Sequence, residues 1–251
     1  MNARAALCFT LLALPSTLWA ANSWVPLGPD LINEGQAWPG RVPVTGRINV
    51  VAPNPENPLG DVWIGSATGG VWHGSVHPKN FWHPMTDGAE SLAVGSIALD
   101  NCSKARCATV WVGTGENSIR RDTQYGRGIL KGQWNSATNV YDWTHLGKDN
   151  FTRGAVTKIV LDPTTSGAGK VVFTALSTGQ TSNGSHSTVT TFPPGFKDGL
   201  GIWRSKNAGQ TWHFLFGKKT PVTDLEMDPQ DPRSSSPGCG TRASTARSTA
   251  A

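Results

Sequence analysis

Tyrosine and charge are both scarce in this chain of 251 residues, which has two tyrosines and 16% charged residues. The net charge of +5 comes from the ends: four of the 22 basic residues lie in residues 1–20 and 233–251, where there is no acid. Residues 21–232 therefore carry 18 basic and 17 acidic side chains. This balance excludes the strongly basic surface of a nucleic-acid-binding protein.

The sequence also lacks an apolar run of the about 20 residues that a membrane-spanning helix needs. The N-terminal run, Ala5–Leu14, has about half that length; it follows Arg4 and precedes the small residues Ala20 and Ala21. This order predicts a secretory signal peptide over residues 1–20, cleaved near Ala20, and hence a secreted or periplasmic protein with no membrane span after cleavage. An N-terminal membrane anchor is the alternative interpretation.

Cysteine is infrequent, with four residues, of which Cys8 lies in the predicted signal peptide. Cys102 and Cys107 flank a short polar turn between two predicted strands, so we expect a hairpin disulfide in an oxidising compartment. A two-thiol metal site is the rival interpretation, but no His is near in sequence. We predict no metal and no cofactor. Cys239 is then left without a partner.

Glycine, proline and tryptophan are abundant instead, with 29, 17 and 11 residues, which favours many short strands joined by tight turns. A four-part pattern recurs: an apolar first strand, a second strand, a third strand opened by Gly, and a last strand opened by Trp. The first strands contain Ile48, Ile97, Ile159 and Leu225, which are 49, 62 and 66 residues apart. Each interval accommodates the four strands of a propeller blade.

The repeats predict an all-β fold over residues 21–232, an incomplete β-propeller with three four-stranded blades and the first strand of a fourth. A β-sandwich with coincidental spacing is the alternative. We expect the first strands to be buried on both faces and the closing tryptophans to pack on the next blade. The segment Trp24–Leu27 matches the closing pattern and is predicted to add an outer strand to the last blade. Open sheet edges predict association between chains.

Residues 233–251 contain Ser, Thr, Ala, Arg and Gly without a strand pattern. A disordered tail is one interpretation. The other is a frameshift near Arg233 in a longer gene, because the first two codon bases of Gly240–Ala251 permit a further third strand that enters a turn motif. An unambiguous gene sequence that keeps this tail in frame would refute the frameshift.

The segment Ser205–Trp212 resembles the Asp-box, Ser-x-Asp-x-Gly-x-Thr-Trp, of bacterial neuraminidase-type (BNR) repeats, with Asn207 at the usual Asp position. The resemblance implies a structural turn between a third and a fourth strand. The residues that match the motif are Ser205, Asn207, Gly209, Thr211 and Trp212. The motif does not by itself imply sialidase activity.

A second segment, Trp111–Asn117 followed by Tyr125–Ile129, resembles the Gly-Thr-Gly-Glu region of large exported bacterial proteins with sortilin-like or xyloglucanase-like propellers. This resemblance covers residues 24–232 and implies a propeller of that superfamily, many members of which are labelled glycosyl hydrolases.

The catalytic residues of those enzymes are not matched. A sialidase of this superfamily requires an arginine triad and a tyrosine nucleophile, but its Arg-Ile-Pro motif is matched by Arg47-Ile48-Asn49 and the tyrosines are Tyr125 and Tyr141. A xyloglucanase-like enzyme requires two carboxylates, and Ser66–Gly70, which matches its Thr-Asp-x-Gly-Gly segment, has no acid. We therefore expect no catalysis in this form and assign no catalytic residue.

Glu116, Arg120 and Arg121 are the candidate ligand-binding residues, because they follow a strand inside a Gly-rich connection. The structural alternative is a carboxylate held by local amides or by Arg120, in a solvated loop. The connections 114–126 and 177–199 should emerge on one face of the propeller. We predict an exported propeller that binds a glycan or a protein through this face; the alternatives are a truncated xyloglucanase-like remnant and an assembly scaffold.

Overall fold

The computed structural model describes residues 46–78, 82–116, 124–178, 199–217 and 221–228, and the backbone of 241–242. These residues form three four-stranded antiparallel sheets, and in each sheet neighbouring strands follow one another in the chain. That arrangement is the meander of a propeller blade, so the prediction of an all-β propeller fold with three blades is confirmed. The predicted signal peptide and Trp24–Leu27 lie outside the described residues.

The strands occur in the order that the repeats predict. Blade 1 contains β1 (Ile48–Pro53), β2 (Val62–Ser66), β3 (Val71–Gly74) and β4 (His83–Pro84). Blade 2 contains β5 (Val94–Cys102), β6 (Cys107–Thr114), β7 (Ile129–Asn135) and β8 (Val140–Leu146). Blade 3 contains β9 (Gly154–Leu161), β10 (Val172–Thr178), β11 (Gly201–Ser205) and β12 (His213–Phe216). A one-turn helix, α1 (Lys148–Phe151), joins blades 2 and 3, and a 3-10 turn (Gly167–Gly169) precedes β10.

A fourth unit begins after blade 3. Its strand β13 (Glu226–Met227) pairs antiparallel with β14 (Thr241–Arg242), the part of the predicted tail that the structure describes. Residues 221–225 precede β13 without belonging to a sheet. The fourth repeat therefore contributes a shorter strand than its apolar pattern suggested.

The core is divided into clusters that lie between neighbouring units. Trp63 is fully buried between blades 1 and 2, and Trp111 and Phe151 occupy the same kind of position between blades 2 and 3. Val222 and Leu225 of the fourth unit pack on blade 3. Because a fully buried large apolar side chain contributes about 1.5–3 kcal/mol, each blade is stabilised mainly by its neighbours.

A repeated hydrogen bond joins the first strands of successive units. Each first strand has a register shift at its second or fourth residue, and at or next to it a polar side chain donates to a carbonyl near the start of the next unit. The bonds are Asn49 Nδ2 to Val94 O (2.9 Å), Ser96 Oγ to Val156 O (2.9 Å) and Thr157 Oγ1 to Val222 O (2.7 Å). Since the third bond matches the first two, residues 222–225 occupy the position of a fourth first strand.

Two expectations about packing are wrong. Val51 of β1 is 61% exposed and Ile48 is 39% exposed, because among the described residues only blade 2 packs against blade 1. The closing tryptophans pack on the preceding blade and not on the next one. Trp143 of blade 2 contacts Trp63 of blade 1, and Trp212 of blade 3 belongs to the cluster around Trp111 of blade 2.

Candidate functional site

The first and third strands of the blades begin at one edge of the sheets, which we call the loop face. The connections between blades reach this edge, as do the connections from β6 to β7 and from β10 to β11. The shorter turns between first and second strands, and between third and fourth strands, lie at the opposite edge. This placement follows from the antiparallel meander, in which alternate connections share an edge.

Glu116 lies at the loop face directly after β6, and its carboxylate is turned into the protein. The side chain is 2% exposed, and its Oε1 lies 2.6 Å from Nη2 of Arg47, which precedes β1. The Glu116 N–H donates to the carbonyl of Gln124 at 3.0 Å. The ion pair therefore joins blade 1 to blade 2. Sequence reasoning noted both residues but missed their pairing, which the equivalent strand ends of neighbouring blades could have indicated.

A second charged group lies where blade 2 leads into blade 3. Lys148 Nζ forms an ion pair with Glu90, and Nδ1 of His145 lies 3.8 Å from Oε1 of Glu90. The hydrogen bond from Lys148 holds the pKa of Glu90 below its usual value. The sequence analysis did not single out these residues, although each lies within a few positions of a strand end at the loop face.

The imidazole of His145 is fixed by the backbone. Its Nε2 is 2.6 Å from the carbonyl of Arg127, so that nitrogen carries the hydrogen and donates. Burial lowers the pKa of His145, although the bond to the Arg127 carbonyl opposes this change and Lys148 reinforces it. The side chain is therefore neutral at pH 7, and its second nitrogen faces Glu90.

The segment Tyr125–Arg127 is held against the linker that follows α1. Gly126 N–H donates to Gly154 O at 2.8 Å, and Arg153 N–H donates to Gly126 O at 2.9 Å. A Cβ at Gly126 would lie 2.3 Å from Thr114 O, so only glycine permits this approach. The guanidinium of Arg153 lies 5.8 Å from the ring centroid of Tyr125. The Tyr-Gly-Arg-Gly pattern thus builds a rigid support at the loop face.

Arg120 and Arg121 lie in the part of the chain, 117–123, that is outside the described residues. The same holds for residues 179–198 of the other long connection. Glu116 is the one sequence-predicted ligand residue whose position the structure describes.

The segment Ser205–Trp212 forms a tight turn at the opposite edge, between β11 and β12. Asn207 Oδ1 accepts hydrogen bonds from Ser205 Oγ and from the Thr211 N–H, both at 2.9 Å. Ser205 Oγ accepts from the N–H of Gly209, whose φ is +86°. Trp212 is 8% exposed. Asn207 therefore supplies the acceptor that an aspartate would supply in this turn.

The predicted cysteine pair also lies at the opposite edge. Cys102 and Cys107 form a disulfide with an S–S distance of 2.03 Å, across the turn between β5 and β6. Within the described ranges there is no cluster of His, Cys, Asp and Glu that could hold a metal ion. A search of the same residues for a helix long and apolar enough to cross a membrane found none.

Comparison with known proteins gives one distant structural match of interest. No family model matches the chain, and no curated protein matches it. Among solved structures, the crystal structure of a GH74 enzyme from Niastella koreensis is similar, with 13% sequence identity and a TM-score of 0.45. The similarity covers 72% of this chain and 23% of that enzyme, so the chain spans under a quarter of its length.

Proposed function

We propose that this protein is an exported propeller that binds a glycan through its loop face and is not a catalyst in this form. The observation that carries the proposal is that two carboxylates at this face, Glu116 and Glu90, are held in ion pairs. Glu116 is buried against Arg47, and Glu90 is paired with Lys148. Both carboxylates therefore serve to fix the surface.

The direction of the pKa shift at Glu90 supports binding over hydrolysis. A glycosidase of the two-carboxylate type needs one carboxylic acid with a raised pKa to protonate the leaving group. The ammonium of Lys148 lowers the pKa of Glu90 instead. A carboxylate kept ionised at neutral pH is suited to accept hydrogen bonds from sugar hydroxyls.

The polar character of the loop face supports a glycan as the partner. The exposed Arg127, the half-buried Arg153 and the Glu90–Lys148 pair offer donors and acceptors around Tyr125. The connection between β6 and β7, which carries Arg120 and Arg121, leaves from the same edge. Binding residues are often found in long loops on a rigid scaffold. Arg120 and Arg121 are included in the proposed surface, and the buried Glu116 supports it through its ion pair with Arg47.

Binding of the full chain to a panel of soluble polysaccharides, with reducing-sugar release measured in parallel, tests the proposal. Arg127→Gln and Arg153→Gln should each weaken binding by about tenfold, which is about 1.4 kcal/mol. Lys104→Gln is the matched control, because Lys104 is equally basic and exposed but lies in the turn between Cys102 and Cys107 at the opposite edge. It should leave the affinity within about twofold.

The alternatives are separable outcomes of the same experiment. Release of reducing sugar that survives removal of contaminants would replace the proposal with a glycoside hydrolase remnant. Co-purification of a stoichiometric protein without polysaccharide binding would indicate an assembly scaffold or a protein partner. N-terminal sequencing of the secreted protein tests export: a mature chain that begins at Ala21 or Asn22 is expected, and retention of Met1 would contradict it.

A further inference from the structure

A cavity opens between blades 2 and 3 at the edge opposite the loop face. It has a volume of about 520 Å³, within the range of small-molecule sites. Trp111 and Lys131 of blade 2 line one side, and Lys170 and Gln210 of blade 3 line the other. The cavity is independent of the loop face and of the function proposed for it.

Comparison of the repeats explains why the cavity exists. In blade 1, Trp63 of β2 lies opposite His73 of β3. At the equivalent place in blade 2, Trp111 of β6 lies opposite Lys131 of β7. At the junction of blades 1 and 2, His73 stacks on Trp63 at 4.3 Å and Tyr141 meets the same ring edge-on at 5.0 Å. Those two rings fill the junction.

The next junction replaces both rings. Lys131 takes the place of His73. Gln210 precedes Trp212 by two residues, as Tyr141 precedes Trp143, but it lies in the turn before β12 and not in a strand. Lysine is no smaller than histidine, so any loss of filled volume comes from glutamine, which is smaller than tyrosine. The space lies beside Lys131, because the Trp111 ring itself is 1% exposed.

The charges in this space are not balanced. Asp100 is already paired with Lys170 at 2.8 Å, and both side chains are largely buried. Nζ of Lys131 lies 4.9 Å from the ring centroid of Trp111, and in the described part of the chain no carboxylate is within ion-pair distance of it. Burial lowers the pKa of Lys131, with Asp100 acting in the opposite direction. An anion beside Lys131 would relieve this desolvation.

The neutral polar groups indicate what else the ligand carries. Gln133 and Gln210 are exposed at the rim and present amide donors and acceptors, and Thr109 lies deeper with 8% exposure. Trp111 is 1% exposed, so its ring offers no platform on which a neutral sugar could stack. The groups that can contact a ligand here are therefore the Lys131 ammonium and the amides of Gln133 and Gln210.

We propose that this cavity binds a small hydroxylated carboxylate, the chemical class of the sugar acids, with its carboxylate on Lys131 and its hydroxyls on Gln133 and Gln210. Titration of the full chain with glucuronate, followed by calorimetry and by ligand-observed NMR, tests this. Glucuronate should bind at least tenfold more tightly than glucose, and acetate should bind more weakly than glucuronate because it lacks the hydroxyls.

Three variants locate the binding. Lys131→Gln should weaken glucuronate binding by at least tenfold, and Gln210→Tyr should abolish it by restoring the ring that fills the neighbouring junction. Lys206→Gln is the control, because Lys206 is an exposed lysine in the turn that also contains Gln210 but does not line the cavity. Thermal melts of each variant exclude unfolding, and Lys131→Arg, which keeps the charge, should retain most of the affinity.

The pH dependence provides a second readout. Affinity for glucuronate should fall as the pH rises from 7 towards 10, because Lys131 loses its proton below the usual lysine value of 10.5. The other charged groups of the cavity, Asp100 and Lys170, neutralise each other. Equal affinity for glucose and glucuronate, unchanged binding in Lys131→Gln, or no saturable binding up to about 10 mM would each overturn the proposal. These results leave the loop-face proposal untouched, since Arg127 and Arg153 lie at the other edge.

Discussion

Substitution of Arg47 and substitution of Glu116 should cost unequal amounts of folding stability, because the two members of this ion pair differ in burial. The side chain of Glu116 is 2% exposed, whereas that of Arg47 is 32% exposed. Removing the partner of a buried charge costs about 3–5 kcal/mol, mainly because the remaining charge stays out of water. The cost of each single substitution therefore depends on which charge is left behind.

Arg47→Met removes one partner of a buried carboxylate, and we expect it to cost about 3 kcal/mol. Glu116→Gln leaves a guanidinium that is one-third exposed and can still donate to an amide oxygen, so we expect a cost of about 1 kcal/mol. The difference of about 2 kcal/mol is roughly a 30-fold change in the unfolding equilibrium. In thermal melts it corresponds to a gap of about 4–8 °C for a protein of this size.

Urea denaturation followed by tryptophan fluorescence measures the free energy of unfolding of both variants, since the chain has 11 tryptophans. Lys158→Gln is a matched control: Lys158 pairs with Asp224 at 3.1 Å, but both side chains are more than 40% exposed. Such a surface pair contributes about 0–1 kcal/mol. Equal costs for Arg47→Met and Glu116→Gln, or an Arg47→Met cost no larger than that of Lys158→Gln, would refute the reasoning.

Three further substitutions probe the junctions between units. Burial raises the pKa of Asp61, but its hydrogen bonds, above all the one with His73, have the larger opposite effect and hold the pKa below 3.8. The stability that results is present above pH 3.8 and is lost as the pH falls further. Asp61→Asn should therefore flatten the acid limb of a plot of melting temperature against pH. Burial raises the pKa of Tyr141 to about 12, so an absorbance titration should show one tyrosine that ionises late and is absent in Tyr141→Phe. The same substitution should lower the free energy of unfolding by about 1–2 kcal/mol, because it removes a buried hydrogen bond. Ionisation of both tyrosines complete by pH 10.5 in the folded protein would contradict this. Thr157→Val removes the 2.7 Å hydrogen bond to Val222 O and should cost about 1 kcal/mol of stability. It should also speed amide hydrogen exchange in residues 222–227. Unchanged exchange there would show that the bond does not hold the segment.

The fold was predictable because its signal is periodic. A blade buries its apolar face only against neighbouring units, so every unit needs an apolar first strand, and Ile97 and Ile159 lie in β5 and β9 as the spacing required. The turn at Ser205–Trp212 and the disulfide turn depend on residues a few positions apart, which is why local sequence anticipates their geometry. Long-range features lack such a signal.

The misjudged features depend on the relative placement of whole blades. The pairing of Glu116 with Arg47 joins residues 69 positions apart in two blades, so only a comparison of equivalent strand ends could have indicated it. The packing direction of Trp143 is set by the twist between sheets, which brings it to Trp63 of the preceding blade. The apolar character of β1 predicted burial, but burial of Val51 needs a neighbouring surface and not only an apolar side chain.

The repeats also provide an internal comparison that a single sequence seldom offers. Three junctions share one backbone arrangement, with a side-chain bond from each first strand to the opening carbonyl of the next unit. Because the frame is constant, a difference in side chains at equivalent positions changes what the junction can hold. At the Trp63 junction a histidine and a tyrosine pack on the indole, whereas at the Trp111 junction Lys131 and Gln210 line a cavity. A Gln210→Tyr variant that melts at or above the parent temperature while losing the ligand would show that stability has been exchanged for a binding cavity at this junction.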